Sequence, residues 1–305
     1  MEKRVLVTGA SGLVGRALVA ALVRRGYAVN VLSRQKQPSG LPDVRVYEWD
    51  ISAGEVDARC VDGAQAIIHL AGENIAQPWS NKRKRAILES RTHSIVLLYD
   101  LLKKQIGHEI RTVVSASASG YYGDMGDRWI SEDIAPANDV LGQTCLEWER
   151  AVSKGRHQGI RAVSLRSGVV LSYDGGIYRK LVGFVNAGLG AVPGTGKQWM
   201  PWIHIDDAVA MYIFALEHPG IQGVYNMAAP EPATFSAFIR LIAKQQGRPL
   251  WLPNIPRGIL KAVLGQMSEM LLSSARLSVE KIRNAGFRFT YPEIGGAVKA
   301  LSGKR

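Results

Sequence analysis

Seven residues near the start of the chain, Gly9-Ala-Ser-Gly12-Leu-Val-Gly15, restrict the fold more than any other stretch. They join an apolar, β-branched run (residues 4–10) to an amphipathic run from Leu13 to Arg25 that stops at Gly26. A strand followed at once by a helix needs a tight turn, which Gly9 permits. Gly12 lets backbone approach a bulky anion, and Gly15 lets helix and strand pack closely. The opening amides of the helix, on Ser11, Gly12, Leu13 and Val14, then present partial positive charge to that anion. A glycine triplet by itself often marks only a turn. Its place between strand and helix makes it a cradle for a diphosphate.

The same alternation continues through the first half. Apolar runs at residues 27–34, 44–50, 66–72, 111–118 and 160–171 read as strands, with helical patterns at 82–105 and 143–154 between them. Strands apolar on both faces and separated by helices define an α/β fold, a Rossmann doubly wound parallel sheet. Beyond residue 172 the pattern loosens. A helix is expected over 175–190, another over 234–247 capped by Thr234, then prolines at 249, 253 and 256 and a last helical region ending near 301. The expected division is a dinucleotide domain over 1–171, with later segments returning to it, and a smaller C-terminal α/β substrate lobe over 172–305. The ligand cleft would lie between them.

Composition removes several classes. Of 305 residues, 47% are apolar and 21% charged, which excludes wholesale disorder. Cys60 and Cys145 stand apart, so neither a disulfide framework nor a metal site is expected. The chain enters a strand almost at once and lacks the run of roughly 18 apolar residues that a membrane span requires, so a cytoplasmic protein off the membrane is expected. The net charge of +12 favours an anionic partner. The basic run at 81–91 has no interleaved aromatic residues, so it reads as a solvated helix face and not as a nucleic-acid surface.

The second strand ends in Ser33-Arg34. An acid there would accept from a ribose 2′-hydroxyl, whereas a guanidinium fork suits a 2′-phosphate. NADP(H) is therefore the expected cofactor; the plain alternative is a solvated arginine, with Gln35 and Lys36 continuing a polar loop. Asp50, ending the third strand, is placed to accept from an adenine amino group or simply to end the strand. Ala71, Gly72 and Glu73 follow His69-Leu70 at the carboxyl edge of the sheet, where small residues let a ribose come close. His69 reads as a packed strand histidine.

Taken together, these motifs resemble the extended short-chain dehydrogenase/reductase superfamily: GASGLVG, HLAG, SASASGYYG (115–123) and PWIHIDDAV (201–209). HLAGENI, LESR (88–91), RSGVVL (166–171) and the closing AGFRFTYPE resemble its atypical branch, the epimerase family of SulA-type nucleoside-diphosphate-sugar epimerase-like proteins. The resemblance implies that Ser33, Arg34, Leu70, Ala71, Arg91 and Val169 or Val170 lie near NADP(H).

The chain departs from the superfamily at its chemistry. A Tyr-x-x-x-Lys pair is expected on the helix after the fifth strand, the lysine lowering the tyrosine pKa for proton transfer. Residues 138–152 hold neither a tyrosine nor a lysine. Counting back four from Tyr122 for the assisting serine gives Ala118, with Ser117 and Ser119 on either side. Ser117 and Tyr122 are the candidate catalytic residues that remain. Arg166 suits a substrate phosphate or a structural ion pair equally, Glu147 reads as a surface residue, and Asp206 or Asp207 as the cap of the following helix. Trp199 and Trp202 suit either a flat ligand or core packing. Two functions stay open: an NADP(H)-dependent epimerase or oxidoreductase acting on a small hydroxyl or carbonyl substrate, nucleotide-sugar-like, or an NADP(H)-binding regulatory or scaffold protein without chemistry. A homodimer is compatible with both.

Overall fold

The computed structural model describes residues 3–35 and 43–303, so Lys36 lies outside the described residues. In chain order the first half runs β1 (Arg4–Thr8), α1 (Leu13–Arg24), β2 (Ala28–Ser33), β3 (Val44–Asp50), β4 (Glu55–Val56), β5 (Ala64–His69), α2 (Asn81–Lys104), β6 (Thr112–Ala118), β7 (Trp129–Ile130), α3 (Val140–Ser153), β8 (Arg161–Ser167) and β9 (Val169–Leu171). The second half runs α4 (Gly176–Asn186), β10 (Trp199–Met200), β11 (Trp202–His204), α5 (Ile205–Glu217), β12 (Gly223–Met227), β13 (Ala233–Thr234), α6 (Phe235–Gln245), α7 (Arg257–Leu264), α8 (Glu269–Leu272), β14 (Arg276–Leu277), α9 (Glu280–Asn284) and α10 (Ile294–Ser302).

Eight strands form one sheet in the order β12-β8-β6-β5-β1-β2-β3-β4. Every neighbouring pair is parallel except β3 and β4. The order reverses at β1, which has β2 on one side and β5 on the other. Crevices beyond the carboxyl ends of strands at such a switch point are where open α/β sheets bind ligands.

The central strands are buried because helices cover both faces. Val5, Val7, Leu18, Leu22, Val209 and Ile213 join α1 and α5 to one face. Leu6, Ile67, Ile95, Leu98 and Trp148 join α2 and α3 to the other. Each such side chain contributes about 1.5–3 kcal/mol when fully removed from water. A third cluster, including Tyr178, Trp202, Phe238 and Val298, holds α4, α6 and α10 together.

Two local expectations are corrected. The run at 160–171 does not continue as one strand. It breaks at Gly168, where a Cβ would stand 2.6 Å from the Pro201 carbonyl oxygen, and β9 then leaves the main sheet to pair with β11. The cap of α5 is neither Asp206 nor Asp207: the His204 ring accepts from the Asp206 amide. Asp207 instead accepts from the Thr290 and Tyr291 amides, at 2.8 and 2.9 Å, fastening the C-terminal segment to α5. The third strand ends at Asp50 as expected, and a separate two-residue strand, β4, pairs antiparallel with it at the sheet edge.

Candidate functional site

Gly9 has φ of +68°, a conformation other residues rarely adopt, and a Cβ there would meet the Leu70 carbonyl oxygen at 2.6 Å. At Gly15 a Cβ would lie 2.2 Å from the Gly9 carbonyl oxygen, so helix and turn close on each other only with glycine. α1 begins at Leu13 with Gly12 as its N-cap; no side chain caps it and its first turn carries no acid. The Gly12 amide is spent on the Gly9 carbonyl at 3.0 Å, closing the turn, and the uncapped helix amides that follow it suit an anion. Thr8, just before the turn, accepts from the amides of both Leu70 and Ala71 (3.1 Å each) and so fixes the β5 edge against β1. Thr8 escaped sequence reasoning because a threonine inside a strand gives no signal of its own.

Charged side chains flank this turn. Arg34 follows β2, its side chain 79% exposed, with Nη1 3.4 Å from Glu73 Oε1. The other Glu73 oxygen lies 3.1 Å from Arg83 Nη1. The Glu73 amide is held by Ser90 Oγ, and Arg91 Nη2 donates to the Glu73 carbonyl at 3.1 Å. Arg91 lies along Gly72, whose missing Cβ leaves the room the guanidinium occupies. Burial lowers the Arg91 pKa. Arg34, Arg83, Arg91, Gly72 and Glu73 thus gather at the carboxyl edge between β2 and β5. Ser33 Oγ accepts from the Gln35 amide, turning the chain after Arg34.

Asp50 lies exposed at the end of β3. Hydrogen bonds from the Ser52 hydroxyl and the Ala53 and Ser52 amides hold its carboxyl below the usual carboxylate range. These are the contacts of a turn. Val169 is half-buried in β9, its amide donating to the Pro201 carbonyl at 2.7 Å.

Ser117 and Tyr122 belong to a different kind of structure. Ser117 Oγ donates to Glu149 Oε1 at 2.6 Å. Arg166 grips the same carboxylate with two parallel hydrogen bonds, Nε to Oε1 and Nη2 to Oε2, both 2.8 Å. Arg166 Nη1 reaches the Tyr122 hydroxyl at 2.8 Å, and that hydroxyl donates to Asn226 Oδ1 at 2.7 Å. Asn226 spends its side-chain amide on the carbonyls of Ile130 and Ser278. Ser117, Tyr122, Glu149, Arg166 and Asn226 are all buried. Desolvation is the main cause that raises the Tyr122 pKa, outweighing Arg166. Burial works against the charge of Arg166, yet the hydrogen bonds and charge of Glu149 outweigh it and bind its proton more tightly than usual. Of the two roles open to Arg166, the ion pair is the one present.

Glu149 was missed from the sequence. The available signal was an acid on the apolar side of an amphipathic helix, beside Trp148 and one turn after the buried Cys145. Glu147 points the other way and pairs with Arg150 on the surface, as expected. Burial pushes the Cys145 thiol up to about 12, which keeps it neutral. His69 is fully buried between Ser115 Oγ (3.0 Å from Nδ1) and Ser94 Oγ (2.8 Å from Nε2), the packed histidine expected. Trp202 is core, whereas Trp199 is half-buried. Among the described residues, no group of three His, Cys, Asp or Glu side chains is placed to hold a metal, and no helix is long and apolar enough to cross a membrane.

A parallel sheet with a glycine turn, an uncapped helix and a basic edge at its switch point defines a Rossmann-type dinucleotide-binding protein. Residues 5–228 match the NAD dependent epimerase/dehydratase family, and residues 255–301 match a domain of unknown function, DUF1731. The chain belongs to the NAD dependent epimerase/dehydratase family, in its epimerase branch. It is 33% identical over 302 residues to the epimerase family protein YfhF of Bacillus subtilis, covering 99% of this chain and 98% of that protein. The human epimerase family protein SDR39U1, solved with NADPH, superposes with a TM-score of 0.85 at 29% identity, covering 99% of this chain and 100% of the human one. A UDP-glucose 4-epimerase from Thermotoga maritima, solved with UDP-glucose, shares the fold alone: TM-score 0.79 at 19% identity, over 98% and 97% of the two chains.

Proposed function

We propose that this chain binds NADP(H) across the β1 turn and moves hydride between it and a hydroxyl or carbonyl carbon of a small, nucleotide-sugar-like substrate, without a Tyr-x-x-x-Lys pair. The observation that carries the reading is the uncapped N-terminus of α1, closed over by Gly9 and Gly15 and flanked by the exposed guanidinium of Arg34. Ser11, Gly12, Leu13 and Val14 would meet the diphosphate, Ser33 and Arg34 the 2′-phosphate. Leu70, Ala71, Gly72, Glu73, Arg91 and Val169 would border the riboses and nicotinamide, with Asp50 toward the adenine. The NADPH found with the human relative supports the same choice. When bound, the nicotinamide supplies or takes the hydride. Two free, buried cysteines agree with a reducing, cytoplasmic setting. We likewise read residues 1–171 as the dinucleotide domain and 172–305 as the smaller lobe.

For the proton, α3 offers neither tyrosine nor lysine. Ser117 commits its one hydrogen to Glu149, so it presents lone pairs and orients a hydroxyl by accepting from it. Tyr122, with its pKa raised and both its donor and acceptor engaged, is poorly suited to give a phenolate. These same engagements favour the second reading, a catalytically silent NADP(H)-binding regulator or scaffold.

Binding titrations test the cofactor: NADPH is expected to bind at least about ten-fold tighter than NADH, from the charge-assisted contacts to the 2′-phosphate. Equal affinities would overturn the assignment. Following NADPH absorbance and product formation with a panel of nucleotide sugars tests the chemistry. Slow or absent turnover is expected. Rates in the ordinary enzymatic range of about 1–1,000 s⁻¹ would show that an acid–base group has been overlooked.

A further inference from the structure

The basic run at 81–91 is not uniform. Arg85 faces solvent, its side chain 80% exposed and paired with Glu89 one turn on. Arg83 does not, its side chain being only 22% exposed. Ser80 Oγ accepts from the Arg83 amide at the start of α2, and the guanidinium reaches back to the preceding loop, Nη2 donating to the Asn74 carbonyl at 2.5 Å. Nη1 lies 3.1 Å from Glu73 Oε2, and Nε is buried with no hydrogen-bond partner. The other oxygen of that carboxylate lies 3.4 Å from Arg34 Nη1 and is the one acceptor of the Arg34 side chain among the described residues.

The same molecule shows what a committed pair of these groups looks like. Arg166 meets Glu149 through two parallel bonds of 2.8 Å, one of them from Nε, within the range of about 2.7–2.9 Å for charged hydrogen bonds. Glu73 makes no such fork with either arginine. It gives one oxygen to each, at 3.1 and 3.4 Å, and leaves the Arg83 Nε unspent. A pair kept only to fasten the loop would bind Nε as well, because a buried donor left unpaired costs free energy. Arg91 brings a third guanidinium to the Glu73 carbonyl. One carboxylate among three guanidinia carries too little charge for its place. A phosphate monoester, with three oxygens and a charge of about −1.5 to −2, matches that place better.

We propose that Glu73 is an internal stand-in for a phosphate monoester. Its carboxylate occupies, between Arg34 and Arg83, the place that the 2′-phosphate of NADP(H) takes, and on yielding it makes Arg83 the second arginine for that phosphate. Arg83 offers a planar fork whose Nε is still free, which suits phosphoryl oxygens. Glu73 therefore tempers the affinity for NADP(H). NADH, with a hydroxyl at that position, brings no charge to displace the carboxylate and gains nothing from its removal. The proposal deepens the NADP(H) reading above and rests on it. Neither the motifs nor the resemblance pointed to Arg83, which the sequence grouped with a solvated helix face.

The test uses the full chain, with NADPH, NADH and 2′,5′-ADP titrated by calorimetry. Arg83→Met is expected to weaken NADPH and 2′,5′-ADP at least about five-fold while leaving NADH within about two-fold. Glu73→Gln is expected to tighten NADPH and 2′,5′-ADP about three-fold or more and to leave NADH no tighter than in the wild type. Equal weakening of NADPH and NADH by Arg83→Met would make Arg83 a clamp on the loop and overturn the proposal. Unchanged NADPH affinity in Arg83→Met, or no gain for NADPH in Glu73→Gln, would overturn it too. Should Arg83→Met fail to fold, Glu73→Gln, at a partly exposed side chain, decides alone. Wild-type selectivity separates the two readings. Equal affinity for NADPH and NADH sinks the 2′-phosphate assignment itself, whereas a preference for NADPH of about ten-fold with either variant failing sinks only this inference.

Discussion

The β1 crevice and the Ser117–Arg166 network lie at the same edge of one sheet, yet they are built on opposite principles. The crevice is made of backbone: two glycines that must lack side chains, amides that no side chain caps, and arginines on a wet rim. The network is made of side chains: a buried carboxylate, guanidinium, phenol, hydroxyl and amide satisfying one another. The first leaves its polar groups open for a ligand. The second has closed around Tyr122, whose donor and acceptor are both engaged, and a phenol held in that way is poorly placed to exchange a proton with a substrate. The difference separates two tasks: an edge built of backbone stays open to a ligand, while a network built of buried side chains holds its elements together.

The contrast is broken most directly at Glu149. Replacing it by alanine strands the Arg166 charge in the core, and breaking a buried pair in that way costs about 3–5 kcal/mol. Urea unfolding should show a loss of that order. A loss under about 1 kcal/mol would mean water reaches the network and that it is no closed structure. The corresponding change in the crevice, Arg34→Ala, touches an exposed side chain and should leave stability within about 0.5 kcal/mol. Its effect should fall on binding: NADPH weakened by about ten- to a hundred-fold, from the loss of charged hydrogen bonds, with NADH nearly unchanged. Parallel weakening of both dinucleotides would place Arg34 away from the 2′-phosphate.

The same contrast decides what could be seen in the sequence. Gly9, Gly12 and Gly15 act through local geometry, so their spacing announces them. Ser33-Arg34 follows a strand of recognisable composition, and the alternation of strands and helices carries the sheet. The network depends on residues 104 positions apart, as with Tyr122 and Asn226, and nothing local marks such a meeting. Glu149 and Arg166 did leave a trace, opposite charges on segments otherwise apolar, but pairing them requires knowing that α3 packs over β8. The α5 cap was misread for a related reason. Asp206 and Asp207 are ordinary first-turn acids, while the preceding histidine accepted the bond and Asp207 was drawn to a segment more than eighty residues away.

His69 tests how dry the interior beside the crevice is. Burial, helped by the nearby Arg91 charge, lowers its pKa from 6.5 to about 3. The folded protein then binds the proton less well than the unfolded chain. The contribution is complete above pH 6.5, declines as pH falls below that value, and is exhausted near pH 3. Between about pH 7 and pH 5 the wild type should lose about 2 kcal/mol more unfolding free energy than His69→Gln, which cannot titrate. Equal pH slopes in the two proteins would show that the imidazole is hydrated or charged in the native state.

The smallest effect is expected two residues from the largest. Glu147 and Glu149 share one helix and one chemistry, and differ only in the face of α3 they occupy. Glu147 forms an i,i+3 pair with Arg150, the two side chains 47% and 63% exposed. Water screens that pair and both side chains give up freedom to form it, so its contribution is about 0.2–0.5 kcal/mol. Glu147→Ala should therefore change the unfolding free energy by less than about 0.5 kcal/mol, and added salt should erase what change there is. A cost approaching that of Glu149→Ala would mean that helix face is covered by something other than solvent. The distinction between an open crevice and a closed network would then need redrawing around α3.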